Sequence, residues 1–179
     1  MVSVRRFVLL FFVSLLAAAP AHADPVILDR LVGTVNTHKI LRSDVARRAV
    51  RDKTELHETL DRMIDEILIL EDAQAAHLAV TDEEIEQAIE LIGKPYNLDK
   101  AGVMAAAVKQ GMPPEVYLTE LRRQLLVYKW ENARVATKIT APSTGTKEER
   151  DEARRALIAT ERKRQVALLR THAFIELRW

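Results

Sequence analysis

The sequence AFIELRW, residues 173–179, ends the chain with the pattern of a half-buried β-strand. Ile175, Leu177 and Trp179 alternate with charged residues, and a period of two is typical of a strand with one buried face. More than a hundred residues before this stretch have helical patterns instead. Because the backbone N–H and C=O groups of a lone strand need hydrogen-bond partners, the strand must pair with a segment far away in the sequence.

A candidate partner lies at the other end of the chain, in VILDRLVGTVNTHKILRSDV at 26–45. Residues 26–35 are rich in Val, Ile and Leu, NTH at 36–38 is a turn cluster, and KIL at 39–41 resumes an extended pattern. A two-stranded hairpin is only marginally stable, and a third strand would stabilise it. The sequence therefore predicts a small antiparallel sheet formed by an N-terminal hairpin and the C-terminal strand.

The segments between these strands predict a mainly α protein with a multi-helix core. Ser43 or Asp44 is expected to cap a helix that runs to about Arg51, and Thr54 is expected to cap the next helix. This second helix has a wide apolar arc through residues 67–70. Such an arc indicates a central helix that packs against neighbours on more than one side.

Three further helices follow, with clear start signals. TDEE at 81–84 is a capping box, in which a threonine is followed three residues later by glutamate. Leu98 or Asp99 begins a short helix, and a long helix is predicted at 113–136 because two prolines suit its first turn. The long helix carries a continuous apolar stripe formed by Leu118, Leu121, Leu125 and Tyr128.

The last predicted helix is highly charged and follows the linker-like stretch TAPSTGT at 140–146. Its predicted apolar side consists of Ala153, Leu157 and Leu168. The basic run ERKRQVALLR at 161–170 lies close to the acidic EERDE at 148–152. Mixed signs along one helix favour ion pairs within that helix over a dedicated basic patch.

Composition excludes several classes of function. Hydrophobic residues make up 48% of the 179 residues and charged residues 30%, with 5 Gly and 6 Pro, which is typical of a soluble helical protein. Cys is absent, so disulfides, thiolate catalysis and cysteine metal sites are excluded. Aromatic residues are few, which predicts an aliphatic core.

Residues 1–23 have the features of a cleaved secretory signal peptide. Arg5 and Arg6 precede the apolar run FVLLFFVSLLAAA, and AHA at 21–23 forms a small-residue cleavage site before Asp24. Removal of this segment takes away two arginines and no acidic residue, so the formal charge changes from +1 to −1. We expect an exported, periplasmic protein that binds no nucleic acid and does not insert stably into a membrane.

The sequence offers few groups for catalysis or metal binding. HETLD at 57–61 begins like a zinc-protease motif, but Asp61 stands where the second histidine is needed. The glycines do not cluster into a phosphate-binding loop, and no nucleophile elbow is present. Asp61, Asp65 and Glu66 are expected on the solvated face of a helix. We therefore expect a protein that is not an enzyme and binds no metal or cofactor.

Three stretches resemble the SurA-type periplasmic chaperones, specifically the N-terminal domain of that family. They are LDRLVGTVNTHKILRSDV at 28–45, LDRMIDEILILEDAQAAHLAVTDEEIEQAI at 60–89 and MPPEVYLTELRRQLLVYKWENARV at 112–135. The last thirty residues resemble the family's C-terminal helix and strand less specifically. This resemblance implies that the C-terminal segment returns to the N-terminal domain and completes its core.

The same resemblance implies the domain organisation and a function. Residues 1–23 are the signal peptide, 24–139 a SurA-like helical chaperone domain, 140–150 a linker, and 151–179 the returning helix and strand. Relatives usually carry parvulin-type prolyl isomerase domains in place of the linker, which is too short to hold one. The implied protein is a chaperone without isomerase activity that holds unfolded segments of outer-membrane proteins. The outer-membrane assembly machinery is a further candidate partner.

A chaperone of this kind needs exposed, adaptable apolar side chains, and Met and Tyr supply them. Five such residues lie in the region that could line a groove for a client peptide: Tyr96, Met104, Met112, Tyr117 and Tyr128. Of these, Tyr128 lies on the leucine stripe and is expected to be the most buried.

Two other classes of function remain open at this point. The chain could be an adaptor or structural subunit for one dedicated partner, and the 140–150 linker would let its C-terminal segment exchange between two copies in a homodimer. A degenerate isomerase that acts through the helical core is the weakest alternative, because no acid–base constellation is visible.

Overall fold

The computed structural model describes residues 29–140 and 143–178. The predicted signal peptide at 1–23 and the terminal Trp179 lie outside these residues. In the described part, the elements are β1 (Leu31–Val35), β2 (His38–Leu41), α1 (Arg42–Asp52), α2 (Leu56–Ala75), α3 (Asp82–Gly93), α4 (Lys100–Lys109), α5 (Pro114–Arg134), α6 (Lys147–His172) and β3 (Ile175–Leu177). Short 3₁₀ turns at Lys94–Tyr96 and Ala136–Lys138 follow α3 and α5. The predicted fold class, mainly α with a small antiparallel sheet, is confirmed.

The three strands form one antiparallel sheet in the order β2-β1-β3, so β1 is the central strand. The Asn36 N–H donates to the carbonyl oxygen of Phe174 at 2.8 Å, and the Arg178 N–H donates to that of Val32 at 2.9 Å. The prediction that the C-terminal strand joins the N-terminal hairpin is therefore confirmed. β1 begins at Leu31, later than the apolar run suggested, and residues 26–28 lie outside the described part.

Helix α2 is central, as predicted, and buries residues on two sides. Leu60, Ile64 and Leu68 pack against the sheet and α1, whereas Ile69 and Ala73 pack against α5 and α6. The second cluster also contains Trp130 from α5, which is the largest fully buried side chain in the described part of the chain.

Among the described residues, the buried core is aliphatic as expected, apart from Trp130. The indole N–H of Trp130 donates to an Asp72 carboxylate oxygen at 2.7 Å. Because this bond satisfies the polar end of the ring, the tryptophan can be buried at little cost.

The third cluster joins α3, α4 and α5 through Val80, Ile85, Ile89, Val103 and Leu121. It lies apart from the sheet, at the end of the molecule where α3 turns into α4. The predicted starts of α3 and α4 are confirmed. Thr81 and Glu84 form a reciprocal capping box, and Asp99 rather than Leu98 caps α4 by accepting a hydrogen bond from the Gly102 N–H at 2.8 Å.

Two predicted caps at the start of the chain were wrong. Helix α1 follows β2 without a break, so its N-cap is Leu41, which is still extended. Asp29 supplies the capping carboxylate from outside the helix and accepts hydrogen bonds from the N–H and hydroxyl of Ser43. This hydroxyl contact lowers the pKa of Asp29. Helix α2 has Glu55 at its N-cap, and the neighbouring Thr54 instead bonds the hydroxyl of Thr59 at 2.8 Å.

Helix α6 returns across α2, but on a different face from the one predicted. Val166 is its buried residue, and Ile158 and Leu169 pack beside it, whereas Leu157 and Leu168 are exposed. The helix begins at Lys147, so residues 147–150 of the predicted linker are helical. Which face of α6 is buried depends on its contacts with other helices. The charge-rich pattern of α6 alone could not reveal these contacts.

The charged residues of α6 also differ from the prediction of pairing within the helix. Arg162 donates to Glu131 of α5 at 2.6 Å, and Arg170 donates to Asp65 of α2 at the same distance. One ion pair, between Arg164 and Glu161, does lie within the helix as predicted. The helix is therefore attached to the core through both apolar contacts and ion pairs between helices.

Candidate functional site

An open apolar groove lies between the α3–α4 turn, α4 and α5, with a volume of about 550 Å³. We call it the apolar groove. Its apolar lining includes Ile92, Tyr96, Leu98, Val103, Met112 and Tyr117. Tyr96 and Leu98 are exposed and Tyr117 is half-buried, so the groove presents apolar atoms to solvent.

Backbone geometry explains how the turn forms one wall of this groove. A Cβ atom on Gly93 would collide with the backbone carbonyl of Leu98, so the close return of the chain after α3 requires glycine. Asn97 adopts the left-handed conformation at φ 51° and redirects the chain into α4. These two residues hold Tyr96, which is 75% exposed, at the edge of the groove.

The opposite wall begins at the α4–α5 connection. Gly111, with φ +78°, ends the turn after α4, and Pro113 and Pro114 start α5. Met112 lies between them and is half-buried. Its unbranched side chain can adapt to different contents of the groove, because thioether side chains repack easily.

A second concave surface, which we call the charged groove, lies between α1, α2 and α5 and encloses about 660 Å³. Its lining includes Arg48, Glu66, Met112, Glu120, Arg123 and Tyr128. Met112 and Glu120 line both grooves, so the two surfaces are continuous around the start of α5. The five arginines that line the charged groove are matched by five carboxylates, which indicates ion pairing rather than a site for a free anion.

Glu66 is at the centre of that ion pairing. Its side chain is only 13% exposed and contacts Arg48 at 2.5 Å and also Arg123. The expectation that Glu66 lies on a solvated face was therefore wrong, because α1 and α5 cover this side of α2. Burial and the neighbouring charges of Arg48 and Arg51 lower the pKa of Arg123 to about 10, so Arg123 stays protonated at neutral pH.

The structure separates the five residues predicted to contact a client. Tyr96, Met112 and Tyr117 come together in the apolar groove. Met104 lies on α4 and packs against the third core cluster, and Tyr128 lines the charged groove.

Tyr128 was expected to be buried, but it is 61% exposed. Trp130, two residues after Tyr128 on α5, is buried in its place. Successive residues of an α-helix are rotated by about 100° around its axis, so residues two positions apart point to opposite sides.

Several lining residues were missed by sequence reasoning. Val103, Ala106, Ala107 and Gln110 line the apolar groove at helical spacing along α4. That spacing is visible in the sequence, but the small alanine side chains suggested helix propensity rather than a binding surface.

The described residues contain neither a group of possible metal ligands nor a helix that could span a membrane. No three His, Asp or Glu side chains among the described residues come together in a way that could hold a metal ion. No helix between residues 29 and 178, where the structure describes the chain, combines the length and the apolar composition needed to cross a membrane.

Over about two thirds of this chain, the fold resembles that of a solved structure. It is similar to the solved structure titled "The virulence factor PEB4 and the periplasmic protein Cj1289 are two structurally related SurA-like chaperones in the human pathogen Campylobacter jejuni". The TM-score is 0.52 at 16% sequence identity, and the match covers 65% of this chain and 46% of the other.

Curated relatives named Chaperone SurA match the sequence itself. The protein from Pectobacterium atrosepticum is 27% identical over 139 residues, which is 70% of this chain and 32% of the relative. Those from Salmonella typhimurium and Escherichia coli O157:H7 are 26% identical over 137 residues. No family model matches the chain. The resemblance to SurA-type chaperones is confirmed over about 70% of this chain, which spans about a third of the length of these relatives.

Proposed function

We propose that this protein is a periplasmic holdase chaperone that binds unfolded or extended segments of outer-membrane proteins during their transit and assembly. The observation that carries this proposal is the apolar groove, where Tyr96, Met112 and Tyr117 meet at the surface. Exposed apolar surface of this kind is typical of a site for a protein or peptide. Flexible Met and amphipathic Tyr side chains suit many different clients better than a rigid aliphatic pocket.

We further propose that the client contacts extend along both grooves. Met112 lies where the two grooves meet, and Tyr128 continues the exposed aromatic surface on the charged side. Met104 does not line the apolar groove, but it packs against the third core cluster, which shares Val103 and Leu121 with the groove lining. An extended segment that passes Met112 would meet apolar atoms first and ion-paired side chains next, which suits client segments with alternating apolar and polar residues.

The proposed chaperone works without prolyl isomerase activity and without a cofactor. Helix α5 ends at Arg134 and α6 begins at Lys147, so the connection between them is too short for an inserted domain. Export through cleavage of residues 1–23 would deliver the mature chain to the periplasm, where outer-membrane proteins travel unfolded. The outer-membrane assembly machinery remains a candidate second partner.

Light scattering tests this proposal directly. A urea-unfolded outer-membrane barrel protein is diluted into buffer with increasing amounts of the chain from residue 24 onward, and aggregation is followed over time. We expect suppression at near-stoichiometric ratios and none from an inert protein of similar size. Absence of suppression at a tenfold excess would contradict the proposal and favour the adaptor with one dedicated partner. A dimer in sedimentation that binds no client would favour the exchanged homodimer.

Substitutions in the apolar groove test whether it is responsible for the suppression of aggregation. Tyr96→Ala combined with Met112→Ala removes two adaptable side chains from the groove. A loss of about 1.4 kcal/mol of binding free energy corresponds to a tenfold higher Kd. We therefore expect half-maximal suppression to need about tenfold more of this variant. Leu157→Ala, which removes an exposed apolar side chain of α6 outside both grooves, is the matched control and should leave suppression unchanged.

A further inference from the structure

A third concave surface, which we call the α1 groove, lies between α1, α2 and the start of α5. It encloses about 570 Å³ and is continuous with the charged groove through shared lining residues. Its apolar lining consists mainly of Met63, Ile67, Leu70, Met112, Pro113 and Val116. Val116 is 49% exposed, so this groove also presents apolar atoms to solvent.

Asp29, the first described residue, lies beside one end of the α1 groove. Its carboxylate accepts hydrogen bonds from the N–H and hydroxyl of Ser43, and the next residue, Asp44, lines the groove. The hydroxyl of Ser43 is the main cause of the lowered pKa of Asp29, and the positive charge of Arg47, another lining residue, adds to it. The chain therefore enters the described structure next to this groove.

The ladder between β1 and β2 ends at the same place. Leu31 of β1 lies opposite Leu41, the last residue of β2, and the Arg42 N–H donates to the Arg30 carbonyl oxygen at 2.8 Å. From Arg42 onward the neighbouring chain is helix α1, whose backbone groups bond mainly within the helix. Backbone pairing with β2 is thus used up by the time the chain is followed back to Asp29, at the edge of the groove.

The five residues before Asp29, DPVIL at 24–28, match the α1 groove in length and in chemistry. An extended chain spans about 3.4 Å per residue, so these residues reach about 17 Å. The α1 side of the groove, from Asp44 to Arg51, is about 10 Å long at 1.5 Å per residue. The segment is therefore long enough to cross the groove, and Val, Ile and Leu at 26–28 suit its apolar lining.

The acidic residue of the segment also has a counterpart. Arg48, Arg51 and Arg123 line the groove, and each already has a carboxylate partner. Burial and the charges of Arg48 and Arg51 nevertheless lower the pKa of Arg123, so repulsion among the three arginines is not fully compensated. A further carboxylate at this end of the groove, such as that of Asp24, reduces the repulsion.

Covalent attachment favours this segment over any free occupant. A segment joined to the chain a few residues from its site acts at an effective concentration in about the millimolar range. A client or a second copy of the chain at micromolar concentration lacks this advantage, even with equal contacts. The occupant that the structure favours for the α1 groove is therefore the chain's own residues 24–28.

We propose that residues 24–28 bind in the α1 groove as an intramolecular strap, with the apolar residues 26–28 on the apolar lining and Asp24 near Arg51 and Arg123. Met112 lines the α1 groove, the charged groove and the apolar groove, so the strap and a client compete for it. The docking of the strap is independent of the proposed chaperone function, whereas the competition rests on it.

Thiol labelling tests the docking without a client. The sequence contains no Cys, so Val116→Cys places a single thiol on the α5 side of the groove. Its reaction with a maleimide is compared in the chain from residue 24 onward and in the same chain with residues 26–28 replaced by serine. We expect about tenfold faster labelling in the serine variant, because a groove covered for about nine-tenths of the time reacts only when open.

Controls separate the strap from a general change in the fold. Leu157→Cys, an exposed position on α6 outside the three grooves, should be labelled at the same rate with and without the serine substitutions. Urea unfolding checks that the serine variant is folded. The blocked peptide DPVIL, added to that variant at millimolar concentration, should restore protection at position 116 and leave position 157 unchanged.

Asp24→Lys tests the charged contact while residues 26–28 stay in place. Loss of about 1 kcal/mol from one charge-assisted contact corresponds to about fivefold faster labelling at position 116. The difference between this variant and the wild type should shrink at high salt, because salt screens charges near the surface. An unchanged labelling rate would overturn the placement of Asp24 near the arginines.

Client binding measures the competition. The probe is a labelled ten-residue peptide that alternates valine or tyrosine with threonine and lysine, followed by fluorescence anisotropy. A site that is open for about a tenth of the time has an apparent Kd about tenfold higher, so the serine variant should bind the peptide about tenfold more tightly than the wild type.

The outcomes distinguish the strap from the chaperone proposal. Equal labelling at position 116 in the two proteins, with peptide still bound, would overturn the strap and leave the chaperone proposal intact. Protection at position 116 with no peptide binding by either protein would support the docking and overturn the proposed function. Protection with equal Kd values would overturn the competition. Labelling that slows as protein concentration rises would identify a second copy as the occupant and overturn the intramolecular strap.

Discussion

At the residue scale, Asn36 connects three parts of the molecule. It lies in the β1–β2 turn with φ 51°, a backbone region that asparagine tolerates. Its side-chain oxygen accepts a hydrogen bond from the Phe174 N–H at 2.9 Å, and its amide nitrogen donates to Glu71 of α2 at 2.5 Å. One turn residue therefore connects the hairpin, the entry to β3 and the central helix.

Replacement of Asn36 by glycine should lower the free energy of unfolding by about 1–2 kcal/mol. Glycine keeps the left-handed turn, so the loss comes from the two side-chain hydrogen bonds. Urea unfolding measures the change. Asn97→Gly is the matched control, since Asn97 has the same φ and its side chain makes no hydrogen bond with the described residues. Equal losses in the two variants would contradict the role assigned to Asn36.

Glu84, also at the residue scale, makes a contribution to the stability of the fold that depends on pH. Its carboxylate accepts hydrogen bonds from Lys129 at 2.7 Å and from the Thr81 N–H at 2.9 Å. The Lys129 contact is the main reason that the pKa of Glu84 is lowered, and the Thr81 bond adds to it. A lowered pKa means that the contribution is present above the pKa of the unfolded chain and is lost as pH falls through the folded value.

We therefore expect the wild type to lose more stability than Glu84→Gln between about pH 5 and pH 3. Glutamine keeps a capping oxygen but carries no charge for Lys129. Tm measured at half-unit pH steps for both proteins checks this, and an NMR titration of Glu84 gives the pKa itself. Parallel Tm curves would show that this carboxylate does not contribute as described.

At the element scale, α6 is attached to the core by arginines that bridge to other helices. Arg170 donates to Asp65 at 2.6 Å and also approaches Asp61, while Arg162 bonds Glu131. Because the side chains of Arg170 and Asp65 are only 35% and 30% exposed, their ion pair is less screened than an isolated surface pair. These pairs hold the second half of α6 against α2 and α5, and the helix leads directly into β3.

Arg170→Met should lower stability by about 1 kcal/mol, because methionine keeps much of the apolar contact but cannot pair with the two aspartates. Arg164→Met is the matched control. Arg164 is exposed, and its one ion pair with the described residues is to Glu161 of its own helix, so the change should be within about 0.5 kcal/mol. Thermal unfolding of the two variants makes the comparison, and an unchanged melt for Arg170→Met would contradict the attachment described for α6.

Local signals predicted the elements well where the relevant residues are close in sequence. The capping box at Thr81 was found because Glu84 is three residues away, and the identical spacing of Thr146 and Glu149 at α6 was overlooked. The cap of α1 could not be found locally, since its carboxylate comes from Asp29, before the hairpin. Contacts of this range depend on the folded arrangement rather than on a pattern.

At the scale of the whole molecule, the two ends of the chain complete one sheet. β3, which follows all the helices in sequence, pairs with β1, and Ile175 packs against the core cluster of the sheet. The period of two in the last residues predicted this pairing, because a lone strand needed a partner. Which edge of the hairpin it would choose was not predictable, since both strands have similar patterns.

Deletion of residues 174–179 should lower Tm by about 10 °C. Loss of the strand's hydrogen bonds and of the Ile175 contacts amounts to about 3 kcal/mol, and 1 kcal/mol corresponds to about 2–4 °C in a chain of this size. Exchange of the charges in Glu176→Arg with Arg178→Glu keeps the strand and serves as the control. An unchanged Tm after the deletion would contradict the closing role of β3.

The candidate site was only partly predictable from the sequence. Tyr96, Met112 and Tyr117 were selected by residue type, and the turn at Gly93 explains why they come together. Tyr128 was wrongly predicted to be buried, because the buried face of α5 does not follow the leucine stripe as far as residue 128. Trp130 takes that position through its bond to Asp72, a contact between residues 58 positions apart.

The most direct test of the central claim is photo-crosslinking to an unfolded client. A benzophenone amino acid replaces Tyr96 in one variant and Leu157 in another, and each is irradiated with a urea-diluted outer-membrane barrel protein. The account predicts crosslinks from position 96 that an excess of a second unfolded barrel protein competes away, and few from position 157. Equal crosslinking from both positions, or none from position 96 while aggregation is still suppressed, would contradict the apolar groove as the client site.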